Sequence, residues 1–222
     1  MTEHLQPVPP DSGIERLVFF SDAVFAIALT LLAIDLRLPD PARVTTSAQL
    51  VDAILAVGPQ LYSFCLSFFV IILLWIGHYR TFRVVTEVDG ATILLNTLLL
   101  FCVVLLPFPT SILGTHPDIP AAIAVYGLAA GVTTLVSTLL WFLVAEVRHH
   151  VGGMPPHLVR LITLRAAFVP AVIVVTIPFA FVEPRIPMAV WALLWPIQLL
   201  VERRFRLRLD ARRPPLADDG AP

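Results

Sequence analysis

Few residues of this 222-residue chain could carry chemistry. Asp22 lies near the start of one long apolar run, and His78 lies at the end of another. A carboxylate or an imidazole in apolar surroundings is a candidate proton carrier or general acid–base group. These residues therefore allow two function classes, a proton-coupled transporter and an intramembrane enzyme.

The residues of metal-binding type do not form a recognisable metal site. His149 and His150 are adjacent, and adjacent side chains on a helix diverge by about a third of a turn. Cys65 and Cys102 are the only cysteines, and both lie inside apolar runs, as small core residues do. No third ligand stands at metal-binding spacing, so we expect no metal centre and no cofactor.

The composition indicates which elements position these residues. The chain is 58% hydrophobic and 14% charged, and its mean hydropathy is +0.86. Soluble domains carry about 25% charged residues, and disordered chains are poor in apolar residues. The chain is therefore predicted to be a multi-pass membrane protein. Its net charge of −1 gives no reason to expect a nucleic acid as partner.

Six apolar segments come close to the roughly 20 residues that a membrane-spanning helix needs. They are residues 17–36, 51–77, 91–113, 121–145, 158–182 and 186–201. We therefore predict an all-α membrane protein with six transmembrane helices per subunit. Pro107 and Pro109 are expected to end or kink the third helix, because proline cannot donate a backbone hydrogen bond.

The arginines predict the orientation of these spans. The chain has no lysine, and twelve of its fifteen arginines lie at the amino end, in the second and fourth connections or in the carboxyl-terminal tail. The opposite side holds only Arg37, Arg43 and Arg185. Basic residues accumulate in cytoplasmic loops. We therefore expect an even number of spans and both termini in the cytoplasm.

The chain is expected to divide into three parts. These are a cytoplasmic N-terminal segment (1–12), a six-helix transmembrane domain (13–201), and a basic and then disordered cytoplasmic tail (202–222). Ser12 and Glu15 fit a capping box that starts the first helix before the membrane. The arginines at the start of the tail are expected to lie against anionic lipid headgroups.

Polar side chains within the spans are expected to link neighbouring helices. Asp22 is expected to form an ion pair with a neighbouring helix, because Arg16 lies far round the same helix from it. Asn96 lies inside the third apolar run, where an interhelical hydrogen bond contributes about 1 kcal/mol. His78, at the cytoplasmic end of its span, fits a structural hydrogen bond.

The first helix also carries an apolar stripe. Ile27, Leu31 and Ile34 follow the i, i+4, i+7 spacing of one helical face, and Thr30 lies beside them. On its own, this pattern is typical of ordinary packing. Composition does not distinguish a face that contacts lipid from one that lines a pore.

Three segments together carry a resemblance to a known family. They are Arg16-x-x-x-Phe20-Ser21-Asp22, then Trp75-x-x-His78-x-x-x-Phe82, then Leu95-Asn96 running on to Leu105-Leu106-Pro107-Phe108-Pro109-Thr110. This combination resembles the transmembrane-protein-175 family of potassium channels, whose signature is the Arg…Phe-Ser-Asp motif. The resemblance covers helices 1 to 3 and is weak over helices 4 to 6. Tyr79 departs from it, since members often have a second histidine there.

The resemblance implies a pore. Bacterial members are homotetramers in which helix 1 lines the central path. The resemblance therefore implies a homotetrameric potassium channel in a bacterial plasma membrane, whose partners are its own copies, membrane lipids and K⁺ ions. The pore-lining positions of the family fall on Ile27, Leu31 and Ile34, and Ile27 is the expected constriction. Thr30 lies next to them, at a position that contributes to the preference for potassium over sodium. Asp35 is expected to form an acidic ring at the outer mouth.

The resemblance also implies a polar network that holds helix 1 against helices 2 and 3. Its members are Arg16, Phe20, Ser21, Asp22, Trp75, His78 and Asn96. The two alternatives from the residues alone stay open. Saturable, coupled flux would indicate a transporter that uses Asp22 and His78. Lipid turnover without ion flux would indicate an enzyme that uses these groups with His149 or His150.

Overall fold

The computed structural model describes residues 12–38, 44–147, 149 and 154–210. Within these ranges the chain forms eight α-helices. They are α1 (Ser12–Ile34), α2 (Ser47–Ala56), α3 (Gly58–Val84), α4 (Gly90–Leu105), α5 (Pro107–Thr115), α6 (Pro120–Phe142), α7 (Pro156–Thr176) and α8 (Arg185–Asp210). A π-helical turn, Leu143–Val147, continues α6, and a 3₁₀ turn, Ile177–Phe181, continues α7.

Five helical segments among the described residues are long and apolar enough to cross a membrane. They are Gly13–Ile34, Gly58–Val84, Gly90–Thr115, Pro120–Val147 and Pro156–Phe181. The prediction of an all-helical, multi-pass membrane protein is therefore confirmed. The sixth predicted span, 186–201, falls in α8, which is not one of the five. The second half of α8 runs into the charged sequence Glu202-Arg203-Arg204, so six spans stay a prediction.

The predicted start of the second span was wrong. Residues 51–56 belong to the separate helix α2, and the span begins at Gly58. Thr46 caps α2 by accepting a hydrogen bond from the Gln49 amide, while Pro59 lies in the first turn of α3. Proline fits the first turn of a helix, where its missing N–H has no partner to lose, and it breaks a helix interior.

The predicted effect of the proline pair in the third span is confirmed. Helix α4 ends at Leu105, and α5 begins at Pro107, so the span consists of two helices in series. The Leu106 carbonyl accepts hydrogen bonds from both the amide and the hydroxyl of Thr110. Pro107 removes the amide that would bond to the Val103 carbonyl, and that carbonyl accepts instead from the Leu106 amide at 3.2 Å, as an apolar environment requires.

The bundle is built around α6, which packs against α3, α4, α5 and α7. Gly127 of α6 lets Trp191 of α8 approach closely, since a Cβ there would lie 2.7 Å from the Trp191 ring. Helix α1 lies at one side and packs against α3, α4 and α5. One face of α1 is therefore held by the protein, and the opposite face is left uncovered within the single chain.

The N-terminal and tail segments lie mostly outside the described residues. These are 1–11 of the predicted 1–12 segment and 211–222 of the predicted 202–222 tail. Helix α1 begins at Ser12, and α8 runs to Asp210. The boundaries predicted for the three parts of the chain stay predictions.

Candidate functional site

The buried face of α1 is the base of the candidate site. Ser21, Phe25, Ala28 and Leu32 are all buried, and they recur at the spacing of one helical face. Small residues such as Ser21 and Ala28 let helices approach closely in a membrane, where apolar burial between helices gives little driving force. Hydrogen bonds from this face must then fix how α1 is rotated.

A chain of hydrogen bonds crosses from α3 through α4 to α1. His78 Nε2 lies 2.9 Å from Asn96 Oδ1, and Asn96 Nδ2 donates to Ser21 Oγ at 3.0 Å. Ser21 in turn donates to the Leu17 carbonyl at 2.8 Å. Because Oδ1 can only accept, His78 carries its proton on Nε2, and every bond in the chain runs in one direction.

The three side chains of this chain are almost completely buried. Ser21 and Asn96 are 0% exposed, and His78 is 1% exposed. The His78 ring packs between Phe25 and Phe82, with centroid distances of 5.5 and 4.6 Å. Within the described part of the chain, its Nδ1 atom has no hydrogen-bond partner. The geometry fits a neutral imidazole that serves as a structural hydrogen-bond donor.

A second link joins α1 to α3 directly. Trp75 Nε1 donates to Asp22 Oδ1 at 2.8 Å. Trp75 also stacks on Tyr79 at 5.9 Å between ring centroids, and the Arg83 guanidinium lies 5.6 Å from the Tyr79 ring centroid. Asp22 therefore has a partner on a neighbouring helix, but that partner is a neutral indole and not the charged group of the expected ion pair.

Two members of the predicted network lie apart from the other five. Arg16 and Phe20 are exposed and fall on the opposite face of α1. The structure brings together the remaining five, which are Ser21, Asp22, Trp75, His78 and Asn96. Arg16 and Phe20 instead continue the exposed apolar stripe toward the amino end of α1, at helical spacing from Ile27.

The predicted pore-lining residues all lie on the exposed face of α1. Ile27 is 56% exposed, Leu31 is 37% exposed and Ile34 is 55% exposed. Thr30 is also exposed, and its hydroxyl donates to the Ile27 carbonyl at 2.8 Å. Since that bond uses the only proton of the hydroxyl, the Thr30 oxygen can face outward only as an acceptor. The stripe thus offers apolar surface and one acceptor oxygen, that of Thr30.

Asp35 directly follows α1 and is exposed. Its neighbour Arg37 donates from Nε to the Ile34 carbonyl at 3.2 Å, which satisfies one of the last carbonyls of the helix. The carboxylate therefore lies at the end of the apolar stripe that is opposite to Arg16.

One buried polar cluster was not predicted. Ser67 Oγ shares a hydrogen bond with Thr110 Oγ1 at 2.7 Å and donates to the Tyr126 hydroxyl at 3.1 Å. The cluster joins α3, α5 and α6 in the bundle interior. The available signal was the presence of hydroxyl residues inside apolar runs, but such residues commonly bond to their own helix, as Thr133 does.

The described residues do not form a metal centre. No group of three or more His, Cys, Asp or Glu side chains among them could hold a metal ion. His149 is exposed, in the connection that follows the π-helical turn, and has a positive φ of 54°. His150 lies outside the described residues. Asp22 and His78 bond to different partners, Trp75 and Asn96.

These features define a multi-pass helical membrane protein whose first helix is fixed by interhelical hydrogen bonds on one face and is uncovered on the other. A family model described as the endosomal/lysosomal potassium channel TMEM175 matches residues 16–107. A potassium channel of Chamaesiphon minutus is 32% identical over 179 residues, which are 79% of this chain and 88% of that one. The chain belongs to the TMEM175 family of ion channels, and the resemblance seen in the sequence is confirmed.

Two further comparisons bear on the fold and the function. The crystal structure of a potassium-selective TMEM175 homologue from Chamaesiphon minutus matches with a TM-score of 0.75 and 32% identity, covering 85% of this chain and 97% of that chain. The human endosomal/lysosomal proton channel TMEM175 is 42% identical over 89 residues. Those residues are 38% of this chain and 18% of the human protein.

Proposed function

We propose that this protein conducts potassium passively along the exposed face of α1. The observation that carries the proposal is the division of α1 into two faces. The relative from Chamaesiphon minutus is named a potassium channel, which supports the same function. Among the described residues, the α1 side chains that bond to other helices are Ser21 and Asp22, which accept from Asn96 and Trp75 on the side that packs against α3 and α4. The other face presents Ile27, Leu31 and Ile34 with no polar link to hold it.

The proposed channel is a homotetramer of six-span subunits. A single α1 cannot enclose a path, and closed rotational symmetry repeats one face around a common axis. Covering the α1 stripe between four copies would also remove much of its exposed apolar surface from lipid and water. With both termini in the cytoplasm, the arginine-rich side faces inward, and we place the channel in a bacterial plasma membrane.

The proposed constriction is a ring of four Ile27 side chains. Rings of apolar side chains can stop ion flow by dewetting, and passage then depends on how much of its hydration an ion must lose. We assign the preference for potassium over sodium to the higher dehydration cost of sodium, with the acceptor oxygens of Thr30 next to the constriction. Leu31 and Ile34 continue the path, and an Asp35 ring at its outer mouth would concentrate cations.

We propose that the polar network holds the pore helix in its conducting orientation. Since neighbouring side chains on α1 lie about 100° apart, a rotation of about half that angle would bring a neighbour as close to the axis as Ile27. The bonds of Ser21 and Asp22 to α4 and α3 oppose that rotation. Arg16 and Phe20 would act at the cytoplasmic end of the same exposed face, between subunits.

Ion flux from proteoliposomes tests the proposal. Purified protein should release potassium down its gradient when the membrane potential is clamped, and it should release sodium more slowly under the same conditions. Equal flux of both ions, or no flux, would contradict it. Saturable flux coupled to protons would indicate a transporter, and lipid turnover without flux would indicate an enzyme.

Replacing Ile27 with Asn tests the position of the path. The amide should hydrate the constriction, raising potassium flux and lowering the preference over sodium. Leu128→Asn is the matched control, since Leu128 is 60% exposed on α6, close to the 56% of Ile27. If Ile27→Asn leaves flux and selectivity unchanged, or if both variants change them alike, Ile27 does not line the path.

Proton passage is a second candidate function. The human relative that is 42% identical over 89 residues is named a proton channel. A path that potassium crosses after losing water could also pass protons along a transient file of water. Proteoliposomes with an enclosed pH-sensitive dye, held at a fixed potassium diffusion potential, measure this directly. Acidification that is abolished in protein-free vesicles and increased by Ile27→Asn would support proton passage along the same path.

A further inference from the structure

A large groove opens on the side of the bundle away from α1. It has a volume of about 550 Å³ and lies between α3, α6, α7 and α8. Cavities of about 300–1,000 Å³ are the usual size for sites that bury a small molecule. We call this cavity the arginine groove, because Arg80, Arg83 and Arg165 line it.

The arginines gather at one end of the groove. Arg80 and Arg83 lie in the last two turns of α3, and Arg165 lies in the third turn of α7, whose amino end meets the carboxyl end of α3. Among the described residues that line the groove there is no Asp or Glu. Arg80 and Arg165 already have partners within the protein, but a guanidinium carries five N–H donors and can bind an additional acceptor. This end therefore favours an anion.

The rest of the groove is chemically apolar. Val70, Ile173 and Trp191 line its deep end. The hydroxyl of Thr138 donates to carbonyls of α6 and α7, and the indole of Trp141 donates to Thr163. The Thr138 hydroxyl and the Trp141 indole N–H are thus satisfied within the protein, so an apolar occupant would leave neither donor unpaired.

The length of the groove matches one leaflet of a bilayer. Ten residues of α3 separate Arg80 from Val70, which corresponds to about 15 Å along a helix. The hydrocarbon core of a bilayer is about 30 Å thick. A chain that reaches from the arginines to the deep end would therefore span half of the core, with its charged end at the headgroup level.

We propose that the arginine groove binds an anionic phospholipid, with its phosphate at the three arginines and one acyl chain along the apolar wall. Basic pockets between helices on the cytoplasmic side are a recognised site for anionic headgroups. The carboxyl-terminal segment 211–222 is a poorer occupant, since Arg212 and Arg213 offset the charges of Asp218 and Asp219, and the segment has no long apolar stretch to cover the wall. Lipid binding in the groove does not require ion conduction, so a negative result here would leave the proposed channel function unaffected.

Quenching of tryptophan fluorescence by brominated lipid tests the site in the full-length protein. Trp141 and Trp191 line the groove and are each less than one-tenth exposed. In mixed vesicles, brominated phosphatidylglycerol should quench more strongly than brominated phosphatidylcholine at equal mole fraction. Each Arg→Gln change at the groove should weaken the apparent association with phosphatidylglycerol roughly fivefold. Arg185→Gln is the control, since Arg185 begins α8 and does not line the groove.

A second variant fills the groove without touching the arginines. Gly77 lines the groove, and a Cβ added there would meet no atom within 4 Å. Gly77→Leu should therefore fold, because leucine also favours the helix, and it should remove the extra quenching by phosphatidylglycerol. Equal quenching by the two lipids in the unmodified protein would overturn the proposal. So would a preference for phosphatidylglycerol that survives both Gly77→Leu and the arginine changes.

Discussion

Replacing Asn96 with Ala removes the centre of the hydrogen-bond chain that joins α1, α4 and α3. Asn96 is completely buried and bonds to Ser21 and to His78. After the change, Ser21 still donates to the Leu17 carbonyl, so the α1 end of the chain keeps a partner. The His78 ring does not, because its Nδ1 is already unpartnered within the described residues and its Nε2–H loses its acceptor.

We expect Asn96→Ala to lower the free energy of unfolding by about 2 kcal/mol. Leaving a buried donor without a partner costs about 1–3 kcal/mol in water-soluble proteins. Interhelical hydrogen bonds in a membrane protein average about 0.6 kcal/mol and reach about 1.7 kcal/mol, because the unfolded chain also finds partners. Two lost bonds and one buried orphan N–H together give the figure of about 2 kcal/mol.

The measurement is unfolding in mixed micelles at increasing denaturing detergent, followed by circular dichroism at one fixed protein concentration. Thr97→Ala is the matched control, because Thr97 is the next residue of α4, is exposed and bonds only to the Ile93 carbonyl of its own helix. The control should change stability by less than about 0.5 kcal/mol. The reasoning is refuted if Asn96→Ala is no more destabilising than Thr97→Ala.

A double-mutant cycle isolates the bond to α1. Ser21→Ala alone should cost about 1 kcal/mol, since it leaves Asn96 Nδ2 without an acceptor. The double variant should cost less than the sum of the two single variants, with a coupling energy of about 0.6 kcal/mol and no more than about 1.7 kcal/mol. Strict additivity would mean that the 3.0 Å contact contributes nothing to stability.

Three other changes test the packing by the same unfolding measurement. Trp75→Phe should lower the free energy of unfolding by about 1 kcal/mol, because the half-buried Asp22 loses an N–H donor. An unchanged unfolding midpoint would contradict the hydrogen bond between Trp75 and Asp22. Gly127→Ala should cost about 1–3 kcal/mol, since its Cβ would lie 2.7 Å from Trp191. Gly77→Ala, with open space around the new Cβ, should be neutral or stabilising by up to about 1 kcal/mol. Equal effects of the two glycine changes would refute the close packing of Trp191 against Gly127.

The sequence was sufficient to predict the spans because apolar length is a strong signal in a membrane protein. It failed at 51–58, where the apolar run continues through a real helix break. The break depends on Pro59 being a first-turn residue and not an interior one, and hydropathy does not distinguish those positions. The sequence also did not decide whether α8 spans the membrane, because a short apolar stretch there continues without interruption into a charged helical segment.

The sequence identified the polar members of the network but not its geometry. Ser21, Asp22 and Asn96 stood out as polar residues in apolar runs, whereas the pairing of Asn96 with both Ser21 and His78 depends on how three helices are rotated against one another. The Ser67, Thr110 and Tyr126 cluster was missed for the same reason. A hydroxyl in a helix can always bond to its own backbone, so only the packed structure shows that it also bonds to a neighbour.

The network and the arginine groove meet on one helix. Trp75 and His78 of α3 carry bonds to Asp22 of α1 and Asn96 of α4, while Gly77 and Arg80 of the same helix line the groove. These four α3 residues lie within two turns, a length over which a helix moves as a unit. An occupant of the groove therefore acts on the helix that fixes the rotation of α1, and the apolar stripe proposed as the ion path is the other face of that same α1. The proposed lipid site on one side of the bundle and the proposed path on the other are thus connected through two hydrogen-bonded helices, α3 and α1, with no intervening loop.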